Sequence, residues 1–156
     1  MKQYRKCAGI IVFNKDKKVL ICARNDAKGL NWQFPQGGVE PDEQPLNAAL
    51  RELKEETSIS SVDSVKTLSY GMKYDFPDYV LKHSKGIGKK YDGQEIYWNL
   101  LYFYGHDDEI DLNTKEPEFK AYEWVEPKEA VERIIDFKKS VYISAIQELE
   151  QTILLY

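Results

Sequence analysis

Residues 37–57, GGVEPDEQPLNAALRELKEET, restrict the fold more than any other stretch. Leu46, Ala49, Leu50 and Leu53 fall on one stripe at helical spacing. Pro45 suits the first turn of such a helix, where its missing N–H costs nothing. Ser58, Ile59, Ser60 and Ser61 end it. With helical rotation per residue, Glu52, Glu55 and Glu56 occupy a sector of roughly 100° beside the apolar stripe. Like charges at this spacing destabilise a helix by a few tenths of a kcal/mol per pair, so the crowding needs an offsetting partner. A solvated acidic face, with Arg51 paired to Glu55, is the ordinary explanation. A seat for divalent cations is the chemical one. Carboxylates are hard oxygen ligands that suit Mg2+ or Mn2+ rather than zinc, and no His or Cys lies near them in sequence.

The surrounding pattern is mixed. Residues 4–13 and 18–24 are apolar and β-branched with NKDK between them, which predicts a hairpin. A short strand within 31–35 stops at Pro35, and Gly37 and Gly38 read as a turn. Residues 62–76 predict one or two strands, and 95–104 (EIYWNLLYFY) has the strongest strand pattern in the chain. A further strand covers 121–127. Helices are predicted at 127–135, opened by Pro127, and at 138–155. The stretch 77–94 has no clear period and carries Lys82, Lys85, Lys89 and Lys90 with Tyr79 and Tyr91. Its length marks it as functional or mobile. Strands interleaved with a few helices predict an α/β or α+β layered fold around a mixed sheet.

The 156 residues predict one domain spanning 1–156, and 42% hydrophobic residues suffice for a core. No run approaches the ~20 apolar residues of a membrane span. The apolar N-terminal stretch is cut off by NKDKK with no cleavage site after it, so it reads as a first strand rather than a signal peptide. Cys7 and Cys22 read as free thiols of a cytoplasmic protein. A formal charge of −4 gives no general electrostatic footprint for duplex DNA, although cations could mediate contact with a polyphosphate.

From Gly37 the spacing runs through five residues to Glu43, then seven to Arg51-Glu52-Leu53-Lys54-Glu55-Glu56. This resembles the Nudix box, G-x5-E-x7-R-E-U-x-E-E-x-G-U, with Ile59 as the last aliphatic position and Ser58 where the family has glycine. A left-handed helix cap at Ser58 is expected from that position. WQFPQGG (32–38), YDFP (74–77), the Gly93-Gln94 pair, PEF (117–119) and FKKSVY (137–142) are similar to the branch containing RNA pyrophosphohydrolases and dinucleoside polyphosphate hydrolases. The resemblance implies a Nudix-type α/β/α sandwich. It also implies metal-dependent hydrolysis of a phosphoanhydride bond in 5′-triphosphate RNA or a dinucleoside polyphosphate.

The resemblance further implies roles for residues. Glu52, Glu55 and Glu56, the Gln36 carbonyl and Glu118 would hold Mg2+ or Mn2+, with Glu56, Glu118 and Glu52 catalytic and Glu56 or Glu118 as the base. Gly37, Glu43 and Arg51 would be structural, with an Arg–carboxylate pair holding loop to helix. Tyr74 and Phe137 would flank a nucleobase, and Lys138, Lys139 and the lysines of 82–90 could meet phosphates. His83 and His106 carry no assignment. Two other functions fit the same box: a housecleaning hydrolase of damaged nucleoside triphosphates, and a nucleotide- or RNA-binding module without hydrolysis. The second should have lost helix carboxylates, and all three are present.

Overall fold

Every residue from Cys7 to Phe13 is buried, so the strand they form needs cover on both faces. The computed structural model describes residues 1–25, 29–83, 90–134 and 136–156 and places this strand, β1 (Tyr4–Phe13), inside a mixed sheet. Ala8, Ile10 and Val12 face one apolar cluster; Cys7, Ile11 and Phe13 face the other. β1 runs parallel to β7 (Gly93–Phe103), paired without a break from Tyr4–Gly93 to Phe13–Tyr102. β2 (Val19–Arg24) completes the predicted hairpin but meets β1 only beside the turn, Phe13 opposite Val19. Farther along, β4 (Gln36–Gly38) takes its place against β1, with Gly9 opposite Gln36. β2 continues instead beside β3 (Trp32–Gln33) and β8 (Phe119–Val125). β5 (Val62–Thr67) and β6 (Met72–Asp75) are antiparallel to β7.

Helices cover both faces, giving the α/β/α sandwich. α1 (Pro45–Thr57) packs Ala48, Ala49 and Leu53 on the Ala8–Ile10–Val12 side. On the other side, α4 (Lys139–Leu155) buries Val141, Tyr142, Ala145, Ile146, Leu149 and Ile153 in a helical seam. α3 (Pro127–Arg133) adds Ala130 to that face. The buried arc of α1 is rotated from the predicted stripe: Leu50 is 38% exposed, whereas Glu56 lies in the buried arc. Gly37 and Gly38 form strand rather than turn, because backbone without side chains fits between β1 and the side chains of Glu52 and Arg5. α2 (Asp78–His83) stands within the stretch that showed no period, being too short to display one. Lys85 and Lys89 lie outside the described residues. Cys7 and Cys22 are free, and burial pushes both thiols up. No helix among the described residues is long and apolar enough to cross a membrane.

The Tyr142 hydroxyl links α4 to the loop before β4. The Phe34 N–H donates to the Tyr142 hydroxyl at 3.0 Å, and the two rings stack with centroids 4.8 Å apart. Both residues are fully buried. Tyr142→Phe leaves that N–H without its acceptor, which costs ~1–3 kcal/mol. A lowered urea midpoint with an unchanged denaturant slope is the expected result.

Candidate active site

Arg51 organises the start of α1. Its Nε and Nη2 donate to the two Glu43 oxygens at 2.9 and 2.8 Å, and Nη2 also donates to the Gly38 carbonyl at 3.0 Å. Its Nη1 reaches Glu52 Oε1 at 2.8 Å and Glu55 Oε2 at 3.5 Å. This geometry holds the Glu43 carboxyl down at about 2, chiefly through the hydrogen bonds from Arg51. The guanidinium therefore bridges the loop, strand β4 and the acidic face of α1 at once.

Glu56 is buried to 4% exposure, and its Oε2 has no hydrogen-bond partner among the described residues. Burial, then the charges of Glu52 and Glu118, push its carboxyl well up; the Glu52 carboxyl is also raised, mainly by burial. Glu55 is the exposed member of the trio. A cavity of about 350 Å³ is lined by Glu52, Glu55, Glu56, Lys115, Glu116 and Glu118. Gly37 makes room on the strand side: a Cβ there would lie 2.1 Å from Glu52 Cδ. Among the described residues, no three His, Cys, Asp or Glu side chains are gathered into a ready-made cage. The orphaned Glu56 oxygen and the hard-oxygen donor set nevertheless fit Mg2+ or Mn2+. Mg2+ commonly takes one or two carboxylates and completes its shell with water and substrate phosphates.

A second cleft, about 400 Å³, adjoins the first, and Glu118 lines both. Arg5, Arg24 and Lys138 supply its cationic lining, and Phe76, Val80 and Phe137 part of its apolar wall. Tyr74 belongs to the wall from within the core: it is 6% exposed, and its hydroxyl donates to Gln94, which also accepts from Gln36 Nε2 at 3.0 Å. Phe137 is only half-buried, its ring edge-on to Tyr79 at 6.4 Å and tilted to Tyr74 at 6.1 Å. Lys138 is buried and donates to Gln33 Oε1 at 3.4 Å. Lys139 opens α4 half-buried and is not among the described residues lining the cleft.

Sequence reading missed Arg5, Arg24 and Gln33. Arg24 had a local signal, as the one charged residue closing an apolar strand. Gln33 lay within the WQFPQGG motif but carried no role there, and Arg5 had no signal. A larger recess, about 470 Å³, lies at the far end of β1 and β2 and includes His106. Its Lys15 and Lys18 are matched by Asp16 and Asp107, which leaves no net charge for a polyanion.

The sequence matches the NUDIX domain over residues 3–144. The chain belongs to the Nudix hydrolase family. That family typically uses a divalent cation. This Nudix chain is 39% identical over 155 residues to an RNA pyrophosphohydrolase of Erythrobacter litoralis, covering 97% of this chain and 93% of that protein. It is 40% identical over 149 residues to one of Pelagibacter ubique, covering 94% and 92%. The fold is similar to that of the Escherichia coli dihydroneopterin triphosphate pyrophosphohydrolase (TM-score 0.67, 20% identity, 99% and 100% covered). It is also similar to that of a Caenorhabditis elegans Ap4A hydrolase complex (TM-score 0.63, 18% identity, 93% and 98% covered).

The raised Glu56 carboxyl has a stability consequence. The folded state keeps this proton at pH values where the unfolded chain has lost it, so stability falls as pH rises from the ordinary carboxylate range toward the raised folded value. In EDTA, Glu56→Gln should remove that decline, raising the melting temperature more at pH 8 than at pH 5. Saturating Mn2+ should narrow the difference between variant and wild type, because a cation offsets the buried charge.

Proposed function

We propose that this chain, as one domain over residues 1–156, is a Mg2+- or Mn2+-dependent pyrophosphohydrolase. Its main substrate is the 5′-triphosphate end of RNA, from which it removes pyrophosphate. The observation that carries this reading is the shared wall at Glu118, where the carboxylate cleft meets a cleft lined with cations and aromatic side chains. A nucleotide end and a polyphosphate need such adjoining environments. The relatives named RNA pyrophosphohydrolase favour RNA as the nucleotide end. A cytoplasmic location is consistent with that substrate.

Glu52, Glu56, Glu118 and the Gln36 carbonyl would hold the cation, with Glu55 at the exposed rim. When bound, the cation neutralises polyphosphate charge and acidifies water. Glu56, ionised when a cation is bound beside it, would orient the attacking water and is placed to take a proton from it. Glu118 is the alternative acceptor, since it faces both clefts. Arg51, paired to Glu43, keeps Glu52 in place beside Gly37. Arg5, Arg24 and Lys138 attract the phosphates, and the Phe137 face supports the base. Lys139, Lys82 and Lys90 are farther candidates for the RNA backbone.

Dinucleoside polyphosphates are the second reading, because they present the same nucleotide end and anhydride to the same two clefts. Triphosphorylated RNA and diadenosine tetraphosphate, each compared with Mg2+ and with EDTA, test the proposal. Pyrophosphate release from RNA at the higher kcat/KM, lost in EDTA and reduced ~10²-fold or more by Glu56→Gln, is expected. Tight RNA binding without release of any phosphate product would overturn it in favour of a binding module.

Phe137→Ala should raise KM for RNA roughly 5- to 100-fold, the equivalent of one lost base–aromatic stack. The melting temperature should fall less than for a fully buried ring, because Phe137 is half-buried where it lines the cleft and packs against the core. A large melting loss at unchanged KM would place Phe137 in the core instead.

A further inference from the structure

Ser58 stands where the Nudix box has glycine, and its backbone is left-handed, with φ 68° and ψ 4°. A side chain is disfavoured there. The serine hydroxyl, however, makes a bond that glycine could not: Oγ donates to the Asp111 carbonyl at 2.9 Å. Asp111 in turn donates its N–H to the Thr57 carbonyl at 3.0 Å. Two neighbouring groups of one peptide segment are thus clamped to the last turn of α1. Just upstream, the Glu109 carboxylate accepts the N–H groups of Ser60 and Ser61 at 2.7 and 2.9 Å. Ile110 and Leu112 pack against the core on the α1 side.

From this clamp a short irregular stretch leads to Glu118, whose carbonyl accepts the Asn25 N–H at 2.8 Å. The segment carrying Glu118 is therefore strung between the C-terminus of α1 and the end of β2. α1 itself carries Glu52, Glu55 and Glu56. The attachment at 58 and 111 ties one end of that segment to the helix that carries the other carboxylates, and the pairing of β8 with β2 from Phe119 onward ties the other.

We propose that Ser58 is a positioning residue: its hydroxyl tethers the Glu118-bearing segment to α1 and so fixes Glu118 opposite Glu56. This rests on the reading that Glu118 serves the reaction. The tether exists in this chain because serine replaces glycine.

Three substitutions separate tether from backbone. Ser58→Gly loses the tether and relieves the left-handed strain. Ser58→Ala loses the tether and keeps the strain. Ser58→Asn tolerates a left-handed backbone and can donate to Asp111 through its side-chain amide. Hydrogen exchange of the 111–118 amides in the cation-free protein should quicken roughly 5- to 10-fold in the glycine and alanine variants, as one net hydrogen bond is lost. The asparagine variant should stay within about 2-fold of wild type. Against RNA, kcat should fall roughly 3- to 10-fold in the first two variants with KM unchanged, and return in the third.

The melting temperature of Ser58→Gly should stay close to wild type, since strain relief offsets the lost bond. Unchanged exchange over 111–118, or an unchanged kcat despite faster exchange, would overturn the proposal. So would a loss that asparagine fails to restore. Because exchange is read without turnover, a loosened segment combined with a wild-type kcat for Glu118→Gln would refute the role of Glu118 and the positioning role with it. The hydrolase reading would survive that result.

Discussion

The Arg51 guanidinium is the contact on which the rest of the site depends. Five donor contacts leave one planar group toward the loop, β4 and α1. A lysine could supply the charge but not the fork, and the fork is what grips both Glu43 oxygens while still reaching Glu52. The exposed counterpart of this chemistry, a single ion pair on a helix surface, stabilises a protein by little. Here the pair is half-buried and bridges three segments. It makes the crowding of like charges on α1 tolerable, and it does so without occupying the free oxygen of Glu56.

Glu56 shows the other side of that arrangement. Apolar helix faces are normally completed by apolar residues, and a carboxylate with an orphaned oxygen at such a position lowers stability in the absence of a ligand. The cost is local. The same helix buries Ala48, Ala49 and Leu53 against the sheet, and β4 contributes glycine where Glu52 needs space. Among the described residues Gln36 Oε1, Trp98 Nε1 and Thr114 Oγ1 also lack partners, but of these four atoms only that of Glu56 belongs to a carboxylate.

Much of α1 was legible in the sequence because its information is local. Pro45 at the start, the left-handed cap at Ser58 and the three carboxylates at fixed spacing all belong to one continuous stretch. The rotation of its buried face was not legible. Leu50 and Glu56 exchange the places that hydrophobicity alone assigns them, and only the shape of the sheet beneath decides that. Gly37 and Gly38 looked like a turn for the usual conformational reason, yet they are used for thinness within a strand. Arg5, Gln94 and Lys138 come from three separated segments and share a cleft only through the β1–β7 pairing and the docking of α4. Periodicity carries no record of such meetings.

The parallel pairing of β1 with β7 also sets an order of events during synthesis. Tyr4 to Phe13 find their partners in Gly93 to Tyr102, so this central strand waits for most of the chain before one of its edges is satisfied. Closing so long a loop is the slow kind of contact in folding. A ribosome-bound chain that has released α1 alone holds the acidic helix without the sheet that turns Glu56 inward. The nascent protein therefore buries Glu56 late, once the strand ending at Phe103 has arrived to complete the sheet beneath α1.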